Sequence, residues 1–195
     1  MAKGAPAALF FMPSSQLLWR RFIPCGKREK GRAAEEGRMK KKLALGLEWL
    51  RPAGIALLYL LAEWLGKDPA GKLHLLGPGL TLILSGSVGF ESLFLGETAS
   101  EKIGYAPDRD YQVQSGLNHL ALAAAALLVL ILSWGKYADA AITTVLLLVF
   151  TFSALNHFFT AIKNRNFKPV NLLRPVMTAL LIAILLPVML KALGR

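Results

Sequence analysis

The stretch LNHLALAAAALLVLIL, residues 117–132, decides the fold, because its last thirteen residues carry no polar side chain. A helix of a soluble bundle would show polar side chains every three or four positions. Residues 142–152 form a second uncharged run. Apolar blocks of about 15–25 residues have the length that crosses a hydrocarbon core of about 30 Å. In lipid such a block must be helical, because a helix satisfies its own backbone groups.

The composition agrees with a membrane protein, since 54% of the residues are apolar and the mean hydropathy is +0.46. We therefore predict an all-α integral membrane bundle of five transmembrane helices, at about residues 43–65, 79–95, 114–134, 138–162 and 169–190. The first of these contains Glu48, Arg51 and Pro52, and its clean apolar part is too short to span alone. The alternative is four spanning helices that follow an interfacial first segment.

The net charge of +11 is concentrated in residues 1–42, which hold eleven Lys or Arg against three Glu. Their charge and glycine content predict a disordered basic arm, followed by a helical membrane domain over residues 43–195. Basic residues beside a span stay on the cytoplasmic side and contact anionic lipid. We therefore assign Lys40, Lys41 and Lys42 to lipid headgroups and expect no nucleic-acid partner. Five spans then place the N-terminus in the cytoplasm and the C-terminus on the periplasmic or extracellular side.

The same arm raises a question about where the folded chain starts. Residues 39–42, Met-Lys-Lys-Lys before an apolar run, resemble a natural start, so residues 1–38 are either an upstream extension or part of the native protein. The single cysteine, Cys25, lies in this arm. One cysteine excludes an intrachain disulfide and a cysteine-built metal site.

Polar residues recur at one depth of the predicted bundle. Two copies of one tripeptide, at residues 117–119 and 155–157, lie about five or six residues from the same membrane side, which is roughly 8–9 Å along a helix. Glu91 and Arg174 lie at the same depth. The candidate polar site comprises Glu91, Asn118, His119, Asn156, His157, Asn171 and Arg174. We expect Glu91 to pair with Arg174, Glu48 with Arg51, and the histidines with Asn118, Asn156 or Thr160.

Three interpretations of this polar layer stay open. Intramembrane ionisable groups usually pair inside the bundle, which favours a structural network. A proton relay or a site for an anionic or quinone-like ligand would use Glu91, His119, His157 and Arg174. A haem or a two-histidine, one-carboxylate metal site is the third. No hydrolytic spacing occurs, so we assign no catalytic residue, metal or cofactor, and an enzyme is the less favoured class. His74 is assigned to the first loop.

Small residues form a stripe on the second predicted span. Ser85, Gly89, Ser92 and Gly96 follow one another at four, three and four residues. Such a seam permits close helix contact, either within the bundle or with a second copy or a membrane partner.

From Ile103 onward the chain resembles a family of small bacterial multi-pass membrane proteins of unknown function. The resemblance is carried by residues 103–105 (Ile-Gly-Tyr), residues 116–118 (Gly-Leu-Asn), Asn156-His157, residues 163–166 (Lys-Asn-Arg-Asn) and Asn171. The family pattern has a Gly-x-x-Asn step at residues 115–118 and an apolar residue at the position of His119, which argues against a shared two-histidine cofactor site.

The resemblance implies bacterial origin and a membrane location, and it implies no chemistry. Our first hypothesis is a non-enzymatic accessory or scaffold protein of the bacterial inner membrane. The second is a small transporter or proton-linked ligand-binding protein. The third is a haem- or metal-binding redox subunit of the membrane.

Overall fold

The computed structural model of the chain describes residues 27–195, and the side chains of residues 34–169 and 171–195. This part is helical and contains no strand. Its helices are α1 (Lys27–Leu65), α2 (Pro69–Ile103), α3 (Arg109–Leu132), α4 (Lys136–Lys163) and α5 (Pro169–Leu193). Each contains a segment long and apolar enough to cross a membrane. The prediction of an all-α bundle with five candidate spans is confirmed.

Loops of three to five residues join consecutive helices, so neighbours in sequence run antiparallel. The four loops therefore lie at two opposite ends of the bundle. The end with loops 104–108 and 164–168 is called the proximal end. The end with loops 66–68 and 133–135 is called the distal end.

Helix α2 forms the centre of the bundle. In its most apolar stretch 61% of the residues are buried, whereas 11–33% are buried in the corresponding stretches of the other four helices. Helices α3, α4 and α5 all pack on it, and Leu58 of α1 lies against its Gly79. Large apolar side chains such as Leu60, Ile131 and Leu180 are exposed on the surrounding helices. These outer faces suit a lipid environment.

The main apolar core lies where four helices meet. It buries residues of α1, α2, α4 and α5, namely Ala62, Leu76, Leu80, Leu84, Leu146, Leu147, Leu181 and Leu185. A smaller cluster joins Ala126 and Val129 of α3 to Ile142 of α4.

The bounds of α2 differ from the predicted span. We expected a loop through residue 78, but the helix begins at Pro69, where the carboxylate of Asp68 caps it by accepting a 2.6 Å hydrogen bond from Gly71 N. Pro78 lies inside the helix, between two glycines that let α1 and α4 approach closely. The predicted end at Leu95 coincides with a kink, where φ is −125° and ψ is 15°. Beyond the kink the helix continues to Ile103.

Helix α1 also starts earlier than predicted. Residues 27–42 are helical, where we expected a disordered arm. Alanine, glutamate, lysine, arginine and methionine dominate this stretch and are good helix formers, while each glycine costs only about 1 kcal/mol. The expectations for residues 1–26, including Cys25, lie outside the described residues.

The small-residue seam of α2 is used within the chain. Ser85 and Gly89 are buried. A Cβ atom on Gly89 would lie 3.1 Å from the carbonyl oxygen of Gly116 in α3, and one on Gly116 would lie 3.2 Å from that of Gly89. Glycine at both positions therefore allows backbone contact between α2 and α3. Of the two alternatives for the seam, contact within the bundle is the one that the structure shows at Ser85 and Gly89.

Candidate functional site

Arg51 joins α1 to α2 near the proximal end. Its Nε donates a 2.9 Å hydrogen bond to Ser87 Oγ, and its Nη2 donates a 2.5 Å hydrogen bond to Glu91 Oε2. Ser87 and Glu91 are four residues apart, so both lie on the face of α2 that meets α1. The predicted pair of Glu91 with Arg174 is wrong, because this face of α2 directs the carboxylate towards α1.

Lys102 of α2, three helical turns after Glu91, also belongs to this group. Its Nζ forms an ion pair with Glu48 Oε1 and lies 3.6 Å from Glu91 Oε1. The predicted pair of Glu48 with Arg51 is wrong. These two residues do share a face of α1, but that face meets α2, where each finds an oppositely charged partner. The result is a chain of alternating charges, Glu48, Lys102, Glu91 and Arg51, which we call the charge ladder.

His157 of α4 is held from two sides. Arg174 Nη1 donates a 2.5 Å hydrogen bond to His157 Nε2, and His157 Nδ1 lies 3.1 Å from the hydroxyl of Tyr105. The His157 and Tyr105 rings are also stacked, with centroids 5.5 Å apart. Because Nε2 accepts from a guanidinium, the neutral ring carries its proton on Nδ1 and donates it to Tyr105 Oη. This arrangement fixes one tautomer and connects α4 with α5.

Tyr105 is the partner that the sequence did not predict for His157. It follows Gly104, whose φ of 79° ends α2 in a left-handed turn. Tyr105 N then donates a 2.9 Å hydrogen bond to Ser100 O. The turn brings the tyrosine back towards α4. The sequence signal for this turn is the Ile-Gly-Tyr motif at residues 103–105, which also carries the family resemblance.

His119 is not equivalent to His157. Among the described residues, its buried Nδ1 has no hydrogen-bond partner, and its ring meets Phe150 edge-on at 6.4 Å between centroids. Asn118 and Asn156 are exposed. The predicted pairing of the histidines with Asn118, Asn156 or Thr160 is wrong. Each asparagine is one residue before its histidine, so it points about 100° away around the helix.

Asn171 contributes to the proximal end as a cap. Its Nδ2 donates hydrogen bonds to Ile103 O at 3.1 Å and Asn166 O at 3.3 Å. Asn166 Nδ2 also donates to Ile103 O, at 2.8 Å, and Lys168 Nζ donates to Glu101 O at 2.9 Å. Side chains from loop 164–168 and α5 therefore donate hydrogen bonds to carbonyl groups of the last turn of α2.

The layer carries more positive than negative charge. The charge ladder contains two cations and two carboxylates. Arg174 adds a third cation, and among the described residues it pairs with no carboxylate. Its hydrogen bond goes to the neutral His157. Both Arg51 and Arg174 lie close enough to the His119 ring to act on it electrostatically.

An open groove of about 440 Å³ lies between α3 and α4. One face of α3 and two residues of α4 line it, namely Tyr111, Gln114, Ser115, Asn118, His119, Leu122, Val145 and Val149. Of the two Leu-Asn-His steps, only the one on α3 contributes to this groove. The structure thus separates the candidate site residues into two groups, with His119 and Asn118 at the groove and His157 and Arg174 in the network between α4 and α5.

A second polar pair lies at the distal end. His74 Nδ1 of α2 lies 3.0 Å and 3.2 Å from the two carboxylate oxygens of Asp139 in α4. Asp139 is 1% exposed. Our assignment of His74 to a loop is wrong, because α2 begins five residues before it. Asp139 was missed altogether, although an acidic residue at the start of an apolar span is a signal for a buried partner.

The ligand geometry of a metal centre is not formed in residues 27–195. No three His, Cys, Asp or Glu side chains lie together there, so Glu91, His119 and His157 do not form the two-histidine, one-carboxylate site that we considered. Both ring nitrogens of His157 are already engaged, which also opposes its use as an axial haem ligand.

Comparisons with known proteins place the chain in one family. No curated protein and no solved structure matches it. The profile of a family of unknown function, DUF6790, matches residues 73–194. This segment runs from the start of α2 to the end of α5, and so contains Glu91, both Leu-Asn-His steps, Asn171 and Arg174. The expected resemblance to a family of unknown function is confirmed, and the chain belongs to the DUF6790 family.

Proposed function

We propose that this chain is a non-enzymatic accessory or scaffold protein of the bacterial inner membrane, in which the proximal polar layer holds the helices together. The observation that carries the proposal is the pairing of the charged groups with one another across helices. Arg51, Glu91, Lys102 and Glu48 connect α1 with α2, and Arg174 connects α5 with His157 of α4. Such pairing supports a structural role, because intramembrane ionisable groups usually pair with one another inside the bundle.

The orientation is part of the same proposal. The basic residues Lys40, Lys41 and Lys42 lie at the start of the membrane portion of α1, and Lys163 and Arg165 lie in or beside loop 164–168 of the proximal end. Lysine and arginine favour the cytoplasmic side and anionic headgroups. The proximal end therefore faces the cytoplasm, and the C-terminus of α5 lies on the opposite side. A reporter fused to the C-terminus and active only in the cytoplasm should be inactive. Activity there would contradict this orientation.

A second candidate function rests on the unbalanced charge of Arg174. An intramembrane cation without a carboxylate partner is expected on pathways for ions or anionic ligands. In this alternative the chain is a small transporter or proton-linked binding protein that uses Glu91, His119, His157 and Arg174.

Proton flux separates the two candidates. The protein is reconstituted in vesicles that enclose a pH-sensitive dye, and a potassium gradient with valinomycin drives proton entry. If the polar layer is structural, we expect the same proton flux as in empty vesicles. His157→Gln should then lower the melting temperature. A flux above the empty control that His157→Gln and Glu91→Gln both abolish would contradict the structural role and support the alternative.

A further inference from the structure

The groove between α3 and α4 changes character along its length. Its proximal half is lined by side chains that donate hydrogen bonds and carry no negative charge, namely Tyr111, Gln114, Ser115, Asn118 and His119. Its deeper part is apolar, formed by Leu122, Val145 and Val149. A groove with a polar mouth near the membrane surface and an apolar continuation matches an amphiphile, with its headgroup in the first part and its hydrocarbon in the second.

His119 offers one ring nitrogen to the polar half. Its Nδ1 is buried and is not reached from the groove, but the ring as a whole lines the groove. When the neutral ring carries its proton on Nε2, this N–H can donate a hydrogen bond to a headgroup seated there.

The local charge selects the sign of the headgroup. Arg51 and Arg174 both act electrostatically on the His119 ring, and no carboxylate of the described residues lines the groove. The layer as a whole contains one cation more than it has carboxylates. A molecule with acceptor oxygens and a net negative charge is therefore favoured. A zwitterionic molecule carries a cation of its own, which the excess positive charge of the layer repels.

We propose that the groove binds one anionic phospholipid. Its phosphate accepts hydrogen bonds from Asn118, Tyr111 and the His119 ring, and its acyl chain lies along Leu122 and Val149. The volume of about 440 Å³ is within the usual range of about 300–1,000 Å³ for small-molecule sites. The bilayer around the five helices supplies this ligand, and the site is independent of the structural role of the charge ladder.

The test is native mass spectrometry of the full chain, released from lipid discs that contain equal amounts of phosphatidylglycerol and phosphatidylcholine. We expect one phosphatidylglycerol per wild-type chain. Asn118→Ala removes a donor and should lower the affinity about three- to tenfold, the effect of one lost hydrogen bond. The matched control is Asn156→Ala, which changes the same residue of the second Leu-Asn-His step, exposed and outside the groove. It should retain the lipid as the wild type does.

A second variant protects the test from a folding defect. Val145→Trp fills the apolar part and leaves every polar group in place. Because Val145 is 44% exposed, this variant should lose the lipid and keep the wild-type melting temperature. Glycerol phosphate should not displace the lipid, because it lacks the acyl chain. Equal retention of the two phospholipids, equal losses in Asn118→Ala and Asn156→Ala, or displacement by glycerol phosphate would each overturn the proposal.

Discussion

Arg51 Nη2 lies 2.5 Å from Glu91 Oε2, and this contact joins the most exposed helix of the bundle to the most buried one. The side chains of Arg51 and Glu91 are 22% and 10% exposed, so water screens the pair only in part. Apolar contacts between α1 and α2 occur on the distal side of this pair, at Gly54 against Ile83 and further along at Leu58 and Ala62. The Arg51–Glu91 pair adds a directional polar contact to this packing and so helps to fix the rotation of α1 at the proximal end.

Arg51→Gln should lower the free energy of unfolding by about 1–3 kcal/mol, because it leaves the partly buried carboxylate of Glu91 without its closest cation. Adding Glu91→Gln to this variant should cost less than the sum of the single changes, with a coupling energy of about 0.5–3 kcal/mol. Reversible unfolding in mixed micelles, followed by circular dichroism, measures both quantities.

The matched control is Glu63→Gln, which breaks an ion pair between α1 and α2 at the distal end. Lys72 Nζ lies 2.5 Å from Glu63 Oε2, but the Glu63 side chain is 45% exposed. Exposed pairs contribute only about 0–1 kcal/mol. Equal losses for Arg51→Gln and Glu63→Gln would show that burial of the Arg51 pair does not matter.

The number and approximate place of the helices could be predicted because an apolar run is a local property of the sequence. Residues 120–132 alone require a helix in lipid. The bounds of α2 could not be predicted in the same way. Gly77 and Pro78 would indicate a turn in a soluble protein. In this chain they lie inside α2, where Gly77 faces Thr143 of α4 and neighbouring helices support the backbone.

The depth of Glu91, His157 and Arg174 follows from residue counting at 1.5 Å per residue, but Lys102 and Tyr105 were not among the predicted members of the layer. The partners could not be predicted, because partner choice depends on how each helix is rotated about its axis. Glu91 faces α1 and not α5, so it meets Arg51. His157 meets Arg174 and Tyr105, and the latter contact depends on the left-handed turn at Gly104, which only the assembled loop shows.

The His157 ring should be neutral with its proton on Nδ1, because Nε2 accepts from Arg174. Nitrogen NMR of histidine-labelled protein in lipid discs distinguishes this tautomer from the other two forms of the ring. Tyr105→Phe keeps the ring stacking but leaves the Nδ1–H without an acceptor. We expect a loss of about 1–2 kcal/mol in unfolding free energy and a shift of the Nδ1 resonance.

The control for this change is Tyr137→Phe at the distal end, because Tyr137 is 72% exposed. It should change neither the unfolding free energy nor the His157 resonances. A protonated His157 ring, or a tautomer with the proton on Nε2, would contradict the hydrogen-bond directions that we assign.

Gly104→Ala should destabilise the proximal end more than Gly194→Ala destabilises the end of α5. Both glycines end a helix in the left-handed region, with φ of 79° and 82°, so both changes carry a backbone cost of about 1 kcal/mol. Only at Gly104 does the added Cβ meet neighbours, 2.8 Å from Asn166 Nδ2 and 3.0 Å from Lys168 Nζ. Hydrogen exchange should show faster opening at residues 100–105 in Gly104→Ala alone. Equal effects of the two changes would mean that the contact between the two proximal loops contributes nothing.

Gly116→Ala should separate α3 from α2, whereas Gly86→Ala should not. The new Cβ at position 116 would lie 2.7 Å from Leu93 Cγ and 3.2 Å from Gly89 O, while that at position 86 meets only Ala123 Cβ, at an ordinary 3.8 Å. Overpacking of this kind costs about 1–3 kcal/mol. In Gly86→Ala the gain in helix propensity, about 1 kcal/mol, should leave the protein as stable as the wild type or more so. Unfolding free energies in mixed micelles measure the difference. A tolerated Gly116→Ala would show that the backbones of α2 and α3 are not in direct contact, and the seam at Ser85 and Gly89 would again be open to a partner.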